Sequence, residues 1–592
     1  MRMNRIKFLA AVILAAVMMF PARTGMAQAP ETAPQQLKWF DPLEQGAVVH
    51  GVGWDELRSG YTRLPAKAQG VVRDEVWGLG LNSAGLSLVF NSNAKEMIVL
   101  YQVKDGYNMF HMPSTGRSGL DLYATDCDGF RRWVAPDFPA SFKDTIRYIY
   151  SNITYFPDGT RPYEFHLYLP PYNTIKWIKI GIPQDASITF YKESLERPIV
   201  VYGTSITQGA CASRPANCWT GIVEREMEHP FINLGFSGNG RMEPELFKLL
   251  AEIDAKVYIL DCIPNLTSNT QIEAKTLEGV RILREKRDCP IILVEHSGHV
   301  GEVSNLERAV YRRANAQLKQ AYESLLAAGY KDIYYMTHDE VGLPLDGMVE
   351  GVHPNDYGMR VMADGHEKKL REVLHEDAHV FTPCKQARDV KNYDWYLRHE
   401  SVLDYCLKTK PQVVLIGDSI THFWGGNPSD KAPNGQDSWD ELWAGKRVAN
   451  LGFGWDRVEN ALWRVYHGEL DGYEAEDVLL LIGTNNLGID PEEKIADGIV
   501  ELAAAVHQRQ PKARIWVCEV LPRSGREIQV RRLNALVKAR LDVPGARIIE
   551  MGAPFVGPNG RIIKSYYPDG LHPNAEGYKH FAAQIRAGMA SK

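Results

Sequence analysis

The first third of the chain alternates apolar and polar side chains in short runs. Residues 97–104 and 163–169 place alternate side chains on opposite faces, which is the period of a β-strand. Turn signals at residues 105–106 and 157–159 separate such runs, and no long helical period interrupts them. Several short strands joined by Gly and Pro turns predict a β-sandwich accessory domain over residues 30–196.

After this region the pattern changes to unbroken apolar runs separated by helical stretches. Residues 198–202, 257–260 and 290–294 are such runs, and residues 306–328 have a helical period. A strand that is apolar throughout is typical of a parallel sheet that helices cover on both faces. The alternation therefore predicts a doubly wound α/β domain over residues 197–374.

The same pattern restarts after a polar connector, residues 375–391. Residues 393–407 have the period of an amphipathic helix. Three further apolar runs follow at residues 413–416, 478–482 and 514–517. We therefore expect a second α/β domain over residues 392–592.

The composition narrows the class of protein. With 592 residues the chain is too long for one domain, and 45% hydrophobic with 24% charged residues is typical of a globular protein. The net charge of −6 provides no basic surface for a polyanion, so we expect no nucleic-acid partner.

The N-terminus has the three parts of a secretory signal peptide. Basic residues within the first seven positions precede an apolar run at residues 8–20, and residues 27–29 read Ala-Gln-Ala. We therefore predict a signal peptide over residues 1–29 and a periplasmic or secreted protein. No cysteine follows the cleavage point, so no lipid anchor is expected, and no other stretch is long enough for stable membrane insertion.

The eight cysteines suit an oxidising compartment without defining a disulfide scaffold. Cys211 and Cys218 lie close together in a loop-like segment, so we predict a disulfide between them. Cys384 and Cys406 are a second candidate pair. The others are predicted to be buried thiols: Cys127, Cys262, Cys289 and Cys518. No CxxC motif or Cys/His cluster is present in the sequence, so neither a metal nor a cofactor is expected.

Chemically reactive residues recur in the same order in both α/β regions. In each, a serine follows the first apolar strand, an Asn-Leu-Gly-Phe block comes about 30 residues later, and an asparagine ends the next strand. A His-Pro-Asn block, with a carboxylate three residues before its histidine, closes each region. The matched pairs are Ser205 and Ser419, Gly238 and Trp455, Asn265 and Asn485, Glu350 and Asp569, and His353 and His572.

The spacing makes this repeat specific. The serine-to-asparagine separation is 60 residues in the first region and 66 in the second, and the serine-to-histidine separation is 148 and 153. Because functional groups collect at the carboxyl ends of the strands in an open α/β sheet, we expect each set to converge.

The residue types suit acyl transfer through a serine nucleophile. In this interpretation His353 or His572 takes the serine proton, and Glu350 or Asp569 orients that histidine. The tetrahedral oxyanion needs preorganised hydrogen-bond donors. Those donors would be the serine N–H, the loop N–H of Gly238 or Trp455, and the side-chain amide of Asn265 or Asn485.

These blocks resemble the SGNH/GDSL hydrolase superfamily, whose motifs supply Ser, Gly, Asn and Asp-x-x-His. The first α/β domain and its β-rich neighbour resemble a bacterial GDSL group with a G-x-D-L-Y motif, here residues 119–123. The second is similar to the platelet-activating-factor acetylhydrolase catalytic subunits, through residues 415–424, 450–464, 482–486 and 569–574. The resemblance implies flavodoxin-like α/β folds and, from the bacterial relatives, O-acetylesterase activity on polysaccharide.

Each domain departs from the family pattern. In the first, Glu350 replaces Asp, Thr204 replaces the Asp beside the serine, and the asparagine motif is residues 261–265. In the second, Trp455 stands where a loop glycine is expected. Only a backbone N–H is needed there, so the donor can persist while the indole shapes the acyl pocket.

The resulting hypothesis is a two-site serine esterase. It would hydrolyse carboxylic esters, with acetylated polysaccharide or oligosaccharide as the expected substrate. One alternative is a lipid or lysophospholipid esterase with an apolar acyl tunnel. Another is that the first α/β domain is a degenerate glycan-binding module and only the second is catalytic. We interpret the β-rich domain mainly as a packing and substrate-shaping module, and His422 as a pocket wall.

Overall fold

The computed structural model describes most of the chain. The described residues are 36–46, 48–125, 131–137, 142–153, 163–193, 196–298, 310–374, 376, 380, 382–389, 392–429 and 431–590. The predicted signal peptide and Cys127 lie outside them. Within these ranges the strands form two antiparallel and two parallel sheets.

The N-terminal part is an antiparallel β-sandwich, as predicted. Its strands are β1 (Leu37–Phe40), β2 (Val49–His50), β3 (Ser87–Ser92), β4 (Met97–Val103), β5 (Asp121–Thr125), β6 (Arg131–Val134), β7 (Ile146–Tyr150), β8 (Tyr163–Tyr168), β9 (Ile175–Pro183) and β10 (Ile188–Phe190). Two short helices, α1 (Asp74–Gly80) and α2 (Ser114–Arg117), lie between them in sequence. The sheet orders are β1-β9-β4-β7 and β10-β3-β8-β5-β6, with β2 paired to β3.

The first α/β region contains a five-stranded parallel sheet. Its strands are β11 (Ile199–Gly203), β12 (Phe231–Gly235), β13 (Val257–Asp261), β14 (Ile291–Val294) and β15 (Ile333–Met336). Its helices are α3 (Ser205–Gln208), α4 (Trp219–Met227), α5 (Pro244–Leu250), α6 (Ile272–Arg284), α7 (Tyr311–Ala327), α8 (His338–Val341) and α9 (Asp356–Leu374).

The second α/β region repeats this architecture. Its strands are β16 (Val413–Gly417), β17 (Val448–Gly452), β18 (Asp477–Leu481), β19 (Arg514–Cys518) and β20 (Ala546–Ile549). Its helices are α10 (Trp395–Thr409), α11 (Ser419–His422), α12 (Gln436–Leu442), α13 (Val458–Tyr466), α14 (Glu492–Arg509), α15 (Glu527–Arg540) and α16 (Ala575–Ala590). Of the helices in the described ranges, none is long and apolar enough to cross a membrane.

Both parallel sheets have the strand order of flavodoxin-like folds. The orders are β12-β11-β13-β14-β15 and β17-β16-β18-β19-β20, so the predicted fold class is confirmed. Along β11, Val200 and Tyr202 belong to one hydrophobic core, while Ile199 and Val201 belong to another. The first of these cores continues into the β-sandwich, so the sandwich and this face of the sheet are packed as one body.

A buried arginine closes the edge of the first parallel sheet. Arg63, from the sandwich, is 2% exposed and donates to the carbonyls of Asn233 at 3.0 Å and Gly235 at 2.8 Å on β12. The same guanidinium donates to Asn82 O at 3.0 Å and Leu79 O at 2.7 Å. Burial lowers the pKa of Arg63 to about 9.

The second parallel sheet is closed in the same way by a different element. Arg398 of α10 is buried and donates to the carbonyls of Gly452 at 2.9 Å and Asn450 at 3.3 Å on β17. Its guanidinium also lies 4.9 Å from the centre of the Phe453 ring. The sandwich and α10 therefore have the same structural role toward the α/β domain that follows each of them.

A buried charge network joins the two α/β domains. Glu196 contacts Lys256 and lies 2.8 Å from His229 Nδ1, while its other carboxylate oxygen lies 3.2 Å from His467 Nε2. Glu376 approaches the opposite nitrogen of His229 at 3.0 Å. Burial alone would raise the pKa of Glu196, but the Lys256 and His229 charges hold it well below its ordinary value.

The predicted disulfides are wrong. Cys211 and Cys218 are free buried thiols, and Cys384 and Cys406 are also free. Cys211 Sγ donates to His111 O at 3.4 Å, whereas Cys218 Sγ faces a threonine hydroxyl at 3.3 Å. Closeness in sequence does not pair these thiols because each one faces a different neighbour. The structure buries the other thiols in its described ranges, as predicted: Cys262, Cys289 and Cys518.

The role of the two edge arginines, Arg63 and Arg398, can be tested by substitution with methionine. Methionine has a long unbranched side chain but no hydrogen-bond donor. We expect Arg63→Met to lower the free energy of unfolding by about 3 kcal/mol, because buried carbonyls would lose their partners. Arg398→Met should destabilise the second α/β domain by a similar amount. Urea unfolding followed by fluorescence measures both effects.

Arg281→Met is the control for this experiment. Arg281 forms an exposed pair with Glu285, so its loss should change the free energy by less than about 0.5 kcal/mol. A loss in Arg63→Met no larger than in this control would contradict the proposed role of the edge arginines.

Candidate active sites

Each candidate nucleophile begins a short helix directly after the first strand of its sheet. Ser205 begins α3, and Thr204 accepts a hydrogen bond from the Ile206 N–H at 3.4 Å. Ser419 begins α11, and Asp418 accepts from the Ile420 N–H at 2.9 Å. The cap fixes the turn at the carboxyl end of each strand, where a side chain can face the cleft.

The first predicted set converges and is called site 1: Ser205, His353 and Glu350. Ser205 Oγ lies 2.9 Å from His353 Nε2, and Glu350 contacts the opposite nitrogen, Nδ1. The second oxygen of Glu350 accepts from the Val352 N–H at 3.2 Å. The longer glutamate therefore reaches the histidine just as the expected aspartate would.

The second predicted set also converges and is called site 2: Ser419, His572 and Asp569. Ser419 Oγ lies 2.8 Å from His572 Nε2, and Asp569 lies 2.6 Å from His572 Nδ1. Asp569 also accepts the backbone N–H groups of Leu571 and His572. Partial burial would raise the pKa of Asp569, but these hydrogen bonds lower it overall, so this carboxylate is held ionised.

The asparagine after each histidine holds the histidine loop in place. Asn355 caps α9 by accepting from the Gly358 N–H at 3.0 Å, and its amide donates to Asp346 O at 2.8 Å. Asn574 does the same at α16, through the Gly577 N–H at 3.0 Å. These caps fix the start of each helix directly after the loop that carries the histidine.

The asparagine that begins each Asn-Leu-Gly-Phe block connects the serine turn to the neighbouring strand. Asn233 donates to Thr207 O at 2.6 Å, and Asn450 donates to Thr421 O at 2.8 Å. At Gly235 an added Cβ would lie 2.2 Å from the backbone nitrogen of Gln208, so only glycine fits there. The sequence showed this block as a repeat but did not reveal these contacts.

The predicted oxyanion loops have the same backbone conformation in both domains. Gly238 has φ +68° and Trp455 has φ +67°, although this region favours glycine. A Cβ at Gly238 would meet nothing within 4 Å, and the side chain of Trp455 is correspondingly 55% exposed. Tryptophan is therefore accommodated because its side chain projects into open space beside site 2.

The predicted oxyanion asparagines are joined to these loops by different contacts. Asn265 Oδ1 accepts from the Gly240 N–H at 3.0 Å, while Asn485 Nδ2 donates to Asp456 O at 2.9 Å. The structure thus places each asparagine against the loop that follows its Asn-Leu-Gly-Phe block. In both domains the predicted Ser, loop residue, Asn, His and carboxylate share one edge of the sheet.

His422 supports the predicted oxyanion loop of site 2. Its Nδ1 accepts from the Gly454 N–H at 3.2 Å, and the matched Gln208 in site 1 accepts from the Ser237 N–H at 2.9 Å. An Nδ1 that accepts this hydrogen bond places the ring proton on Nε2. His422 therefore positions the loop, in line with its interpretation as part of the pocket wall.

Residues of the connector and of the segment before α10 hold the same loop from outside. Gly454 O accepts hydrogen bonds from Tyr393 Oη at 2.6 Å and from Gln386 Nε2 at 2.9 Å. Arg388 donates to Trp455 O at 3.2 Å. Sequence reasoning missed these contacts because the connector carries no motif and was interpreted as a polar linker.

The β-sandwich contributes directly to site 1. Tyr172 Oη donates to Ser205 O at 3.1 Å. The His111 ring lies 5.3 Å from the His353 ring, and the 93% exposed Phe110 stacks on His111 at 4.1 Å. Nothing in the local sequence around residues 110 and 172 indicated these roles.

Each site has a buried carboxyl group near its serine, but at different positions. Asp418 precedes Ser419, and burial raises its pKa to about 7. Site 1 has Thr204 there and instead has Asp261 at the end of β13, where burial again raises the pKa to about 7. Asp261 accepts from the Thr207 hydroxyl at 2.8 Å. In the first domain Thr204 stands where an Asp is expected, and Asp261 of the neighbouring strand supplies a buried carboxyl group in its place.

Comparisons with protein families match all three parts of the chain. Residues 196–371 and 415–580 match two models of the GDSL-like lipase/acylhydrolase family. Residues 37–188 match the GxDLY model, which is described as the N-terminus of SGNH-hydrolase-type esterases.

Individual relatives agree with these matches. The platelet-activating factor acetylhydrolase IB subunit alpha1 of Pongo abelii is 33% identical over 187 residues, which is 31% of this chain and 76% of the relative. The alpha2 subunit of Gallus gallus is 28% identical over 212 residues, or 35% and 88%. A solved GDSL-like lipase from Bacteroides ovatus has 31% identity and a TM-score of 0.53, covering 57% of this chain and 98% of its own.

The buried carboxyl of Asp418 predicts a pH dependence of stability. Its pKa of about 7 exceeds the ordinary value near 4, so between these pH values the folded chain holds a proton that the unfolded chain has released. This group therefore makes the protein less stable as pH rises from about 4 to 7, by on the order of 3 kcal/mol. Asp418→Asn should flatten that dependence in calorimetric unfolding scans.

The exposed Asp542→Asn is the matched control, because it removes the same charge from the surface. It should reproduce the wild-type slope between pH 4 and 7. Identical slopes in Asp418→Asn and wild type would show that Asp418 does not carry this dependence.

Proposed function

Because the chain belongs to the GDSL-like lipase/acylhydrolase family and is an ester hydrolase, we propose that it removes acetyl groups from carbohydrate at two serine sites. The family resemblance and the enzyme class predicted from the sequence are thereby confirmed. One observation carries the two-site proposal: Ser205 Oγ and Ser419 Oγ lie 2.9 and 2.8 Å from histidine Nε2 atoms whose Nδ1 atoms face carboxylates.

Each site would act through an acyl-enzyme. The serine oxygen attacks the ester carbonyl while the histidine Nε2 takes the serine proton. The histidine returns that proton to the departing alcohol oxygen, which leaves the acyl group on serine. Water, deprotonated by the same histidine, then attacks the acyl carbon. The bond from the serine oxygen to that carbon breaks, the histidine returns the proton to the serine, and the acid leaves. Glu350 or Asp569 stabilises the imidazolium that forms at each proton transfer.

The oxyanion of the tetrahedral intermediate would be stabilised by donors from three elements. These are the serine N–H, the loop N–H at Gly238 or Trp455, and the amide of Asn265 or Asn485. In site 2 the Tyr393 hydroxyl and the Gln386 amide fix the carbonyl of Gly454. Such fixed geometry avoids reorganisation when the negative charge develops.

The choice of an acetyl group on carbohydrate is supported by two observations. The curated relatives are named acetylhydrolases, which favours a short acyl group. Exposed aromatic side chains lie beside both sites, Phe110 at site 1 and Trp455 at site 2, where they offer apolar faces for the sugar part of a substrate.

The signal-peptide pattern supports a periplasmic or secreted location, where polysaccharide is accessible.

The geometry of site 1 favours two active sites over a degenerate first domain. A binding module has no need of a serine held at hydrogen-bond distance from a histidine that is itself oriented by Glu350. The contacts from Tyr172 and His111 of the sandwich also point to a built pocket at Ser205. The two pockets differ in their walls, so we propose different substrate preferences for them.

Separate serine substitutions test the two-site proposal. We expect Ser205→Ala and Ser419→Ala each to keep part of the acetate release from acetylated xylan and 4-nitrophenyl acetate. The double variant should lose at least about 1,000-fold in rate, because both nucleophiles are gone. Acetate assay measures all three.

Two outcomes would contradict the proposal. Loss of all turnover in Ser419→Ala alone would favour the degenerate-module alternative for the first domain. A rate that rises from acetyl to octanoyl esters would favour the lipid-esterase alternative, because an apolar tunnel rewards longer acyl chains.

The contact of Tyr393 with Gly454 O predicts a selective effect on site 2. In the Ser205→Ala background, Tyr393→Phe should lower kcat roughly 5-fold, because one hydrogen bond of about 1 kcal/mol no longer fixes the oxyanion loop. Tyr473→Phe is the matched control, since Tyr473 Oη donates to Glu469 O at 2.7 Å. Equal slowing by both substitutions would indicate a general loss of stability.

A further inference from the structure

We infer that site 1 is also a binding site for a divalent transition-metal ion, Zn²⁺ by its donor chemistry, and that this ion switches off site 1 alone. Four side chains carry the inference: His111, Cys211, Glu350 and His353. One ligand atom from each lies within 4.8 Å of the others. The effect on turnover rests on the function proposed above, whereas the binding of the ion does not.

The donor set matches zinc. A thiolate, imidazoles and a carboxylate are the ligands that Zn²⁺ prefers, usually four in a tetrahedron. Bonds of about 2.0–2.3 Å place tetrahedral ligands roughly 3.3–3.8 Å apart. The four atoms in site 1 therefore need to approach one another by only about 1 Å to bind the ion.

Two of the ligands are held close together before any ion binds. Cys211 Sγ donates to His111 O at 3.4 Å, so these two residues are already in contact. His111 Nδ1 is buried and has no hydrogen-bond partner among the residues that the structure describes. A buried ring nitrogen without a partner is unfavourable, and a metal ion would satisfy it.

The proton balance of binding can be stated. Cys211 is a free cysteine whose thiol donates to His111 O, so the free protein carries the S–H group. As the metal–sulfur bond forms, the S–H bond breaks and its proton passes to solvent. No oxidation or reduction accompanies the step.

Metal binding and catalysis at site 1 exclude each other. If His353 binds the ion through Nε2, that nitrogen can no longer accept the Ser205 proton. If it binds through Nδ1, the proton of the neutral ring sits on Nε2, which again cannot accept. With either nitrogen the general base is lost.

Site 2 does not have this donor set in the part of the chain that the structure describes. The position six residues after the serine is Cys211 in site 1 and Gly425 in site 2. The ring beside His572 is Phe423, at 5.1 Å, in contrast to His111 beside His353. Site 2 therefore serves as an internal control.

The binding test uses the full chain with Co²⁺ as the probe, because cobalt reports a thiolate ligand by a sulfur-to-cobalt charge-transfer band. We expect one equivalent to produce the band, and Cys211→Ser and His111→Asn each to weaken binding by about 100-fold or more. Cys289→Ser is the matched control: this thiol is in the same α/β domain but precedes β14, at the opposite end of the sheet. It should keep the band.

The activity test adds Zn²⁺ to Ser419→Ala, in which only site 1 can act, and to Ser205→Ala, in which only site 2 can act. We expect at least about 10-fold inhibition of the first, reversed by EDTA, and little change in the second. Equal inhibition of both variants would overturn the inference of a selective switch.

The two tests separate the failure of the metal site from the failure of the proposed function. Absence of the cobalt band, or its persistence in both Cys211→Ser and His111→Asn, would overturn the metal site whatever the activity. A normal band in a Ser419→Ala protein without esterase turnover would keep the metal site and reject catalysis at site 1. Circular dichroism of each variant confirms that it folds. Because Cys211→Ser and His111→Asn remove different ligands, each variant tests the metal site independently of the other.

Discussion

The buried guanidinium at the edge of each parallel sheet is the constraint on which both sites depend. An edge strand presents carbonyls without a neighbouring strand, and these must find donors when they are buried. Arg63 and Arg398 supply those donors to equivalent carbonyls of β12 and β17. The loops proposed to bind the oxyanion follow these strands directly, so the arginine that fixes the strand also fixes the start of the loop.

The two sites solve the same chemical problem with different supporting residues. Site 1 is bordered by the sandwich, through Tyr172 and His111, and its buried carboxyl is on the neighbouring strand. Site 2 is bordered by the connector and the segment before α10, and its buried carboxyl directly precedes the serine. The proposed catalytic trio tolerates this exchange because it depends on distances between three side chains and not on which element surrounds them.

The sequence predicted the fold class and the convergence of each serine, histidine and carboxylate, because order and spacing recur twice and parallel strands bring their carboxyl ends together. It did not predict Arg63, His111 or Tyr393, since each reaches its partner from a segment distant in sequence and without a motif. It was wrong about Cys211 and Cys218, because local spacing does not determine where a thiol points. It also did not predict that His111 and Cys211 lie beside Glu350 and His353, because neither forms a motif with that pair.

The edge arginines also define which pieces of this chain can be exchanged between proteins by recombination. A gene fragment that encodes the first α/β domain without the sandwich would lose Arg63 and expose β12 to pairing with other chains. The second α/β domain carries its own arginine on α10, so β17 stays covered in any fragment that includes this helix. Inheritance should therefore keep sandwich and first domain together, whereas loss of the second domain would remove His467 from the buried carboxylate of Glu196.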